Sequence, residues 1–373
     1  MKYMKVGLMT CESRFLEARR LLEAARSFEE AERVPVLIDG IGGPFLCSIF
    51  GYTLADYYRR AEVSAEVWDK GYKWIYRVLR DDRPSPPSRR SRILDVGSVA
   101  EGVVFDCEIM LPDEDNPWLS PWIVPKYRSP EMLEKLEVPD PKDVMERFRK
   151  HLRRQYGREF EPWPIQIHPP LSAAGSLIGT DRLYIFLYKY PNLMQRFLEK
   201  LLKTWFVLRE FMDDYYGRVT ESIGLCDDHA GFLPEEMYRK FVLPYNRAIY
   251  ERYGKKWRSL HMDSPVHHIA KILVEELKIN ELDVAATEDL ARVKPLFDGK
   301  IVMHGNIDNK LLTPSARLED LKAAVEYCMA SAAPGGGYIF DVGGELYAGV
   351  DPEKVVFMVK YAKKVGQFPL KKP

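Results

Sequence analysis

The segment Arg258–Pro265 places a histidine and an aspartate two positions apart, at the end of a run that reads as a β-strand. Side chains two apart on a strand lie on the same face, so His261 and Asp263 are expected to point at one target. Ser264 and Pro265 fit the N-cap and the first turn of a following helix. An imidazole and a carboxylate placed in this way bind a metal or pass a proton. The simpler alternative is a hydrogen-bonded pair that only shapes the loop.

The same pattern recurs along the chain, because other short apolar runs also end in polar side chains. These strand-end residues are Asp39, Asp95, His168, Asp227, Asp228, His229, Asp283, His304, Asn306, Asp341 and Glu345. A single one means little, but their recurrence on successive predicted strands favours a shared site. The turn at residues 39–43, Asp-Gly-Ile-Gly-Gly, lacks the GxGxxG spacing of a phosphate-binding loop and is interpreted as an ordinary loop.

The elements that must position these residues are about eight short apolar runs, each followed by a helical pattern. This alternation predicts an α/β fold with a parallel sheet, closed as a (β/α)8 TIM barrel whose site lies at the carboxyl ends of the strands. Residues 12–33 form an amphipathic pattern and predict a leading helix that covers the bottom or side of the barrel. We therefore expect an N-terminal helical extension over residues 1–33 and a single barrel domain over residues 34–373.

Two aromatic segments have different predicted roles. Residues 102–126 read as a long loop in which Trp118 and Trp122 could wall a pocket for an aromatic ligand, with simple loop packing as an equal alternative. The helical pattern from Pro191 to Tyr216 repeats apolar residues at core spacing, so its aromatic residues are interpreted as core.

Composition narrows the function classes. The chain of 373 residues has 55 Lys+Arg against 55 Asp+Glu, which gives no reason to expect nucleic acid or an anionic membrane as a partner. The five cysteines are scattered without a CxxC pair, which is typical of an intracellular protein. No signal peptide or membrane-spanning run is recognised, so a cytoplasmic location is expected. A homodimer is compatible with the sequence, which does not determine the oligomeric state.

Several of these segments resemble the uroporphyrinogen decarboxylase superfamily, which includes the decarboxylase and corrinoid-linked methyltransferases. The similar segments, in the family's order and spacing, are Asp227-Asp228-His229-Ala-Gly with Leu233-Pro-Glu-Glu and Phe241-Val-Leu-Pro-Tyr245, then His304-Gly-Asn-Ile-Asp308, and Gly337-Tyr-Ile-Phe-Asp-Val-Gly-Gly344 with Val350-Asp-Pro-Glu353. The resemblance spans roughly residues 30–365 and implies a (β/α)8 barrel.

The departures from the family pattern help to decide which branch of the superfamily the chain resembles, the decarboxylase or the methyltransferases. The decarboxylase carries arginines after its first strand that bind the substrate's carboxylates, whereas residues 39–43 contain no arginine. Asp95, in contrast, falls where the decarboxylase keeps its catalytic aspartate. The thiol-methylating branch holds zinc with a His-x-Cys pair and a later Cys. Here the pair is His261-x-Asp263 and the later position falls near Glu345. The resemblance therefore implies zinc held by His261 with Asp263 or Glu345.

An oxygen-rich ligand set would leave zinc a stronger Lewis acid, suited to polarising an ether oxygen. We therefore expect a corrinoid-dependent methyltransferase that moves a methyl group from a small methoxylated aromatic donor to the cobalt of a separate corrinoid protein. Expected catalytic residues are His261, Asp227 and Asp95, and expected substrate contacts are Asp39, Trp118, Trp122, His168, Asp228, His229, His304 and Asn306. The alternatives are a decarboxylase of a tetrapyrrole or another carboxylate, and a metal-free barrel whose polar strand ends are structural.

Overall fold

A computed structural model describes residues 11–86, 96–158, 160, 165–297 and 299–370. The helices in these ranges are α1 Cys11–Arg26, α2 Gly43–Phe50, α3 Leu54–Arg59, α4 Ala61–Trp74, α5 Ala100–Val104, α6 Pro130–Glu134, α7 Pro141–Tyr156, α8 Pro170–Ile178, α9 Thr180–Lys189, α10 Pro191–Tyr216, α11 Glu235–Phe241, α12 Leu243–Tyr253, α13 Leu290–Phe297, α14 Leu318–Ala332 and α15 Pro352–Val365. The strands are β1 Ile109–Met110, β2 Trp122–Ile123, β3 Ser222–Cys226, β4 Trp257–Met262, β5 Glu281–Val284, β6 Val302–Ile307 and β7 Tyr338–Val342.

In the described part of the chain, five parallel strands form one sheet in the order β3-β4-β5-β6-β7. The apolar run Val34–Ile38 continues this order beside β7, since Val36 forms a parallel bridge with Phe340. The Leu37 N–H donates to the Phe340 carbonyl at 3.0 Å, and the Phe340 N–H donates to the Pro35 carbonyl at 2.9 Å. The fold is a TIM-barrel-like α/β fold, which confirms the predicted class.

Two of the predicted strands are not seen as ladder-forming strands. The run at residues 92–95 lies outside the described residues. Residues 165–168 are extended beside β3, but a side chain replaces the ladder: the Gln166 amide donates to the Gly224 carbonyl at 3.3 Å. Pro169 and Pro170 follow at once and start α8. Proline has no N–H to donate to a neighbouring strand, so a backbone ladder could not continue through Pro169 and Pro170.

Helix α1 covers the amino ends of the strands, as the sequence predicted for a cap on the bottom of the barrel. It ends at Arg26, seven residues earlier than predicted, where Phe28 takes a positive φ of 57°. Its Leu22 and Ala25 pack with Leu37, Val302 and Ile339, and Arg26 pairs with Glu281 at 2.9 Å. These partners lie at or near strand starts, so α1 sits at the end opposite His261.

The long helix α10 behaves as the sequence predicted. It begins with Pro191 at the first helical position and ends at Gly217 in the left-handed region, with φ 61°. Its apolar stripe, which includes Phe197, Leu201 and Trp205, is buried in the main core. The aromatic residues of this helix therefore serve packing. Within the described residues, no helix is both long enough and apolar enough to cross a membrane.

A buried ion-pair network connects the Val34–Ile38 segment to the last helix, α15. Asp82, almost fully buried, accepts from Arg33 at 2.6 and 2.9 Å, from Lys363 of α15 at 2.7 Å, and from the Val36 N–H at 2.8 Å. Burial opposes ionisation of Asp82, but the hydrogen bond from Arg33 and the charges of Lys363 and Arg33 outweigh it and lower its pKa. The Asp82 carboxylate therefore links the Arg33–Val36 segment near the start of the chain to helix α15 near its end.

Candidate active site

Strand register brings three reactive side chains together. Cys226 of β3 is the register partner of His261 of β4, and His261 is the register partner of Asp283 of β5. Register partners on parallel strands point to the same face of a sheet, so the thiol, the imidazole and the carboxylate lie side by side. All three stand at the carboxyl ends of their strands, where a barrel of this class keeps its site.

His261 is held by carboxylates on both ring nitrogens. Its Nδ1 lies 2.6 Å from Oδ2 of Asp283, while Nε2 lies 3.6 Å from Oδ2 of Asp263 and 3.7 Å from Oδ1 of Asp228. Burial lowers the pKa of His261, but hydrogen bonds with Asp263 and Asp283 and the Asp283 charge outweigh it and raise the pKa to about 11. Without a metal the ring is therefore an imidazolium whose Nε2 faces two carboxylates.

A thiol joins this group from the neighbouring strand. The Cys226 Sγ donates to Oδ2 of Asp228 at 3.4 Å, and Oδ1 of Asp228 accepts the Asp263 N–H at 2.8 Å. One ligand atom from each of Cys226, Asp228 and His261 lies within 4.8 Å of the other two. A thiolate, a carboxylate and an imidazole are ligands that zinc accepts, so the residues present fit this metal.

A second histidine, His168, belongs to the same polar group as Cys226. His168 Nδ1 lies 2.8 Å from Oε1 of Glu101, a carboxylate of α5 that is fully buried. The Glu101 charge, opposed by burial and aided by Cys226, raises the pKa of His168 to about 11. The Glu101–His168 pair therefore places a positive ring near Cys226, while burial raises the pKa of the Cys226 thiol.

Carboxylates also line the cleft above His261, which has a volume of about 240 Å³. Its lining residues are Asp39, Gly40, Ile41, Gly42, His261, Asp283, Asp341, Val342, Gly344 and Glu345. A Cβ at Gly42 would lie 1.7 Å from Oε1 of Glu345, so the turn at residues 39–43 needs glycine for this close approach. The predicted Asp39, Asp263 and Glu345 therefore surround His261, in a strongly acidic setting.

His304 lies beneath this cleft and is not part of its lining. It is 5% exposed, and its Nε2 lies 3.2 Å from both the Leu37 carbonyl and Oδ2 of Asp341. Burial opposes the charged ring, but Asp341, Asp39 and other carboxylates raise the pKa of His304 to about 9. Asp341 in turn accepts the Asp39 N–H at 3.0 Å. His304 and Asp341 therefore support the cleft from below.

Two predicted site residues are hydrogen-bonded by the surrounding protein, Asp227 by helices α8 and α12 and Asn306 by the loop after β5. Asp227 is fully buried and accepts from Ser172 at 2.7 Å and from Asn246 at 2.8 Å. Side chains alternate along an extended chain, so Asp227 faces away when Cys226 and Asp228 face the cleft. The Asn306 amide donates to the carbonyls of Ala285 and Glu288. Both side chains are occupied by the surrounding protein, which gives them a positioning role here.

Other predicted substrate residues line a separate groove of about 340 Å³. Trp122 and His229 both line it, with Pro121, Ile123, Pro125, Gly175, Ser176, Gly179, Thr180 and Ser98 completing the lining. The His229 Nε2 lies 3.1 Å from the Thr180 hydroxyl, and burial lowers the pKa of His229. Trp118 is 45% exposed and is not part of this lining. Asp95 lies outside the described residues.

Sequence reasoning missed Cys226 and Glu101, and it did not assign Asp283 to His261. The signal for Cys226 was present, since it stands two positions before Asp228 and shares its face of the strand. Glu101 carried no comparable signal, because its contact with His168 joins residues 67 positions apart.

The barrel-like fold and the polar cluster at its carboxyl end define the general class, and comparison with known proteins identifies the family. Residues 97–365 match the family model described as Uroporphyrinogen decarboxylase (URO-D). The chain belongs to the uroporphyrinogen decarboxylase family. This confirms the resemblance predicted from the segments that begin at Asp227, His304 and Gly337.

Individual relatives are distant. A uroporphyrinogen decarboxylase from Thioalkalivibrio sulfidiphilus is 24% identical over 247 residues, covering 62% of this chain and 68% of that protein. One from Thermosynechococcus vestitus is 23% identical over 327 residues, covering 79% of this chain and 92% of that protein. Among solved structures, a methyltransferase from Methanosarcina mazei superposes with a TM-score of 0.64 and 17% identity, over 95% of this chain and 99% of that chain.

Proposed function

We propose that this protein is a corrinoid-dependent methyltransferase, which moves the methyl group of a small methoxylated aromatic compound to the cobalt of a separate corrinoid protein. The observation behind the proposal is the grouping of Cys226, Asp228 and His261, of which His261 lines an acidic cleft. Nitrogen, oxygen and sulfur donors at one point suit a Lewis-acid metal. The likeness to a methyltransferase structure supports this branch of the superfamily.

The charge of the cleft favours this branch over the decarboxylase. The carboxylates of Asp39, Asp283 and Glu345 line it, so a substrate with many carboxylates would meet like charges. The nearby guanidinium of Arg83 is already engaged, at 3.3 Å from Asp81 and 3.5 Å from Asp39. A neutral methyl ether meets no such repulsion.

The size of the cleft supports the same choice. Its volume of about 240 Å³ falls below the ~300–1,000 Å³ of pockets that enclose drug-sized ligands. A single aromatic ring with its methoxy group fits this space better than a tetrapyrrole. The separate groove at Trp122 and His229 offers a further aromatic surface, which we propose as a second contact for the donor.

We propose zinc as the resident metal, with His261 as one ligand and oxygen or sulfur ligands from the surrounding side chains. Bound there, zinc would supply a Lewis acid for the ether oxygen. Asp283 holds the His261 ring so that Nε2 faces the cleft. On transfer of the methyl carbon to the corrinoid partner, the electron pair of the broken carbon–oxygen bond would stay on the oxygen, on the His261 side of the cleft. Stabilising that developing phenolate is the task of the site.

The test is methyl transfer from a panel of methoxylated aromatic compounds to free reduced cobalamin, followed by the spectral change of cobalt on methylation. His261→Ala should lower the rate by about 10²-fold or more, the usual cost of removing a group that stabilises developing charge. His267→Ala is the matched control, because His267 pairs with Glu288 at 3.0 Å and does not line the cleft. Near-native transfer by His261→Ala, or decarboxylation of a porphyrinogen by the native protein, would refute the proposal.

A further inference from the structure

We propose that the metal is bound by Cys226, Asp228 and His261, and that Asp263 and Glu345 are not ligands. This inference rests on the proposed function only in assuming that the site holds a metal. It departs from the pair of oxygen ligands that the sequence pattern implied, because it brings a sulfur ligand from β3 to the imidazole of β4. It also assigns different tasks to Asp228 and Asp263, which lie at similar distances from Nε2 of His261.

The spacing of the ligand atoms is the first argument. Asp228 lies between the other two: its Oδ2 is 3.4 Å from Sγ of Cys226, and its Oδ1 is 3.7 Å from Nε2 of His261. A tetrahedral zinc ion with bonds of about 2.0–2.3 Å holds its ligand atoms about 3.3–3.8 Å apart. Each separation falls in this range, with a different oxygen of Asp228 in each, and one ligand atom from each of the three residues lies within 4.8 Å of the other two. Three protein ligands would leave a fourth position for a donor oxygen, as in catalytic zinc sites.

The outer partners are the second argument. His261 is oriented by Asp283 at 2.6 Å, and Asp228 by the Asp263 N–H at 2.8 Å. Metal ligands in proteins are commonly fixed by such second hydrogen bonds, which orient the ligand before the metal arrives. In this arrangement Asp263 contributes its backbone N–H to the site.

Exposure separates the two kinds of carboxylate. Cys226, Asp228 and His261 are half-buried, whereas Asp263 and Glu345 are exposed. The Glu345 carboxylate lies against Gly42 in the turn at residues 39–43. Both exposed carboxylates are therefore placed to border the cleft, where they face the incoming donor.

The ligand set predicts the class of metal. One sulfur, one nitrogen and one carboxylate oxygen select zinc or cobalt(II) over magnesium or calcium, which prefer oxygen alone. A thiolate ligand also gives cobalt(II) a sulfur-to-metal charge-transfer band in the near ultraviolet. That band reports the sulfur directly and requires neither a methyl donor nor cobalamin.

The experiment is titration of the full-length, metal-stripped protein with cobalt(II), followed by zinc competition. The native protein should show the charge-transfer band. Cys226→Ser should lose it, and both Cys226→Ser and Asp228→Asn should bind zinc at least tenfold more weakly. Asp263→Asn and Glu345→Gln should keep zinc affinity within threefold. Cys107→Ser is the matched control, since Cys107 is also a partly buried free thiol, and it should keep the band. Thermal unfolding followed by circular dichroism verifies that each variant is folded.

Two results would overturn the inference. One is a charge-transfer band that survives in Cys226→Ser while Asp263→Asn or Glu345→Gln loses affinity. The other is a native protein that binds neither cobalt(II) nor zinc. Methyl transfer plays no part in these measurements, so a failure of the proposed reaction with intact metal binding is recognised separately.

Discussion

Removal of the Asp283 carboxylate tests whether the outer hydrogen bond on His261 matters for the site. Asp283 Oδ2 lies 2.6 Å from Nδ1 of His261, the length of a charge-assisted hydrogen bond. Such a bond contributes about 1.5–3 kcal/mol. The Asp283 side chain is 31% exposed, and solvent screening favours the lower half of that range. Asp283→Ala should therefore weaken zinc binding and methyl transfer by about 10–30-fold.

Asp283→Asn should fall between the native protein and Asp283→Ala, because the amide oxygen can still accept from Nδ1 but carries no charge. Zinc affinity is measured by competition with a chromophoric chelator, and methyl transfer by the cobalt spectrum. Glu281→Gln is the matched control on the same strand, since Glu281 pairs with Arg26 at the opposite end of the barrel. The reasoning is refuted if Asp283→Ala stays within twofold of the native protein in both measurements, or if Glu281→Gln loses as much.

Two further predictions concern stability and substrate binding. Asp82→Asn should lower the free energy of unfolding at pH 7 by about 3 kcal/mol, because Arg33 and Lys363 lose a buried partner. The native pKa of Asp82 lies below its ordinary value of 3.8, so its contribution is present above about pH 4 and is lost as the pH falls through the native pKa. Denaturant unfolding at pH 7 and at acid pH should therefore show the variant and the native protein converging in acid, and a constant difference would contradict this. Trp122→Ala should raise KM about fivefold to tenfold with kcat little changed. This result is expected when an aromatic contact is lost that the bound substrate and the transition state make equally. Trp118→Ala is the comparison outside the groove, and a fall in kcat alone for Trp122→Ala would contradict the assignment.

The class of fold could be predicted from the sequence because its signals are local. Apolar runs that alternate with helical patterns require a parallel sheet with crossover helices, and this alternation is readable without any contact between distant residues. The family resemblance followed from short segments of the same kind. Helix ends were harder to place: α1 was predicted to residue 33 but ends at Arg26, where the backbone turns at Phe28.

The local geometry around His261 was also accessible from sequence, since Asp263 follows His261 by two positions, immediately after the end of β4. What the sequence did not reveal was which neighbours the register would supply. Cys226, 35 positions before His261, becomes its partner only when β3 and β4 pair in one particular register. A shift of one residue would have directed Asp227 to the cleft and Cys226 to the helices.

The sequence by itself determined the kinds of groups at the strand ends and the end of the barrel at which they gather. Only the tertiary structure decided their partners: Asp283 on His261, Glu101 behind His168, and Trp122 with His229 in a separate groove. The reason is physical. Periodicity along a strand follows from backbone geometry, whereas pairing between strands follows from the packing of the whole core, which depends on side chains far apart in the chain.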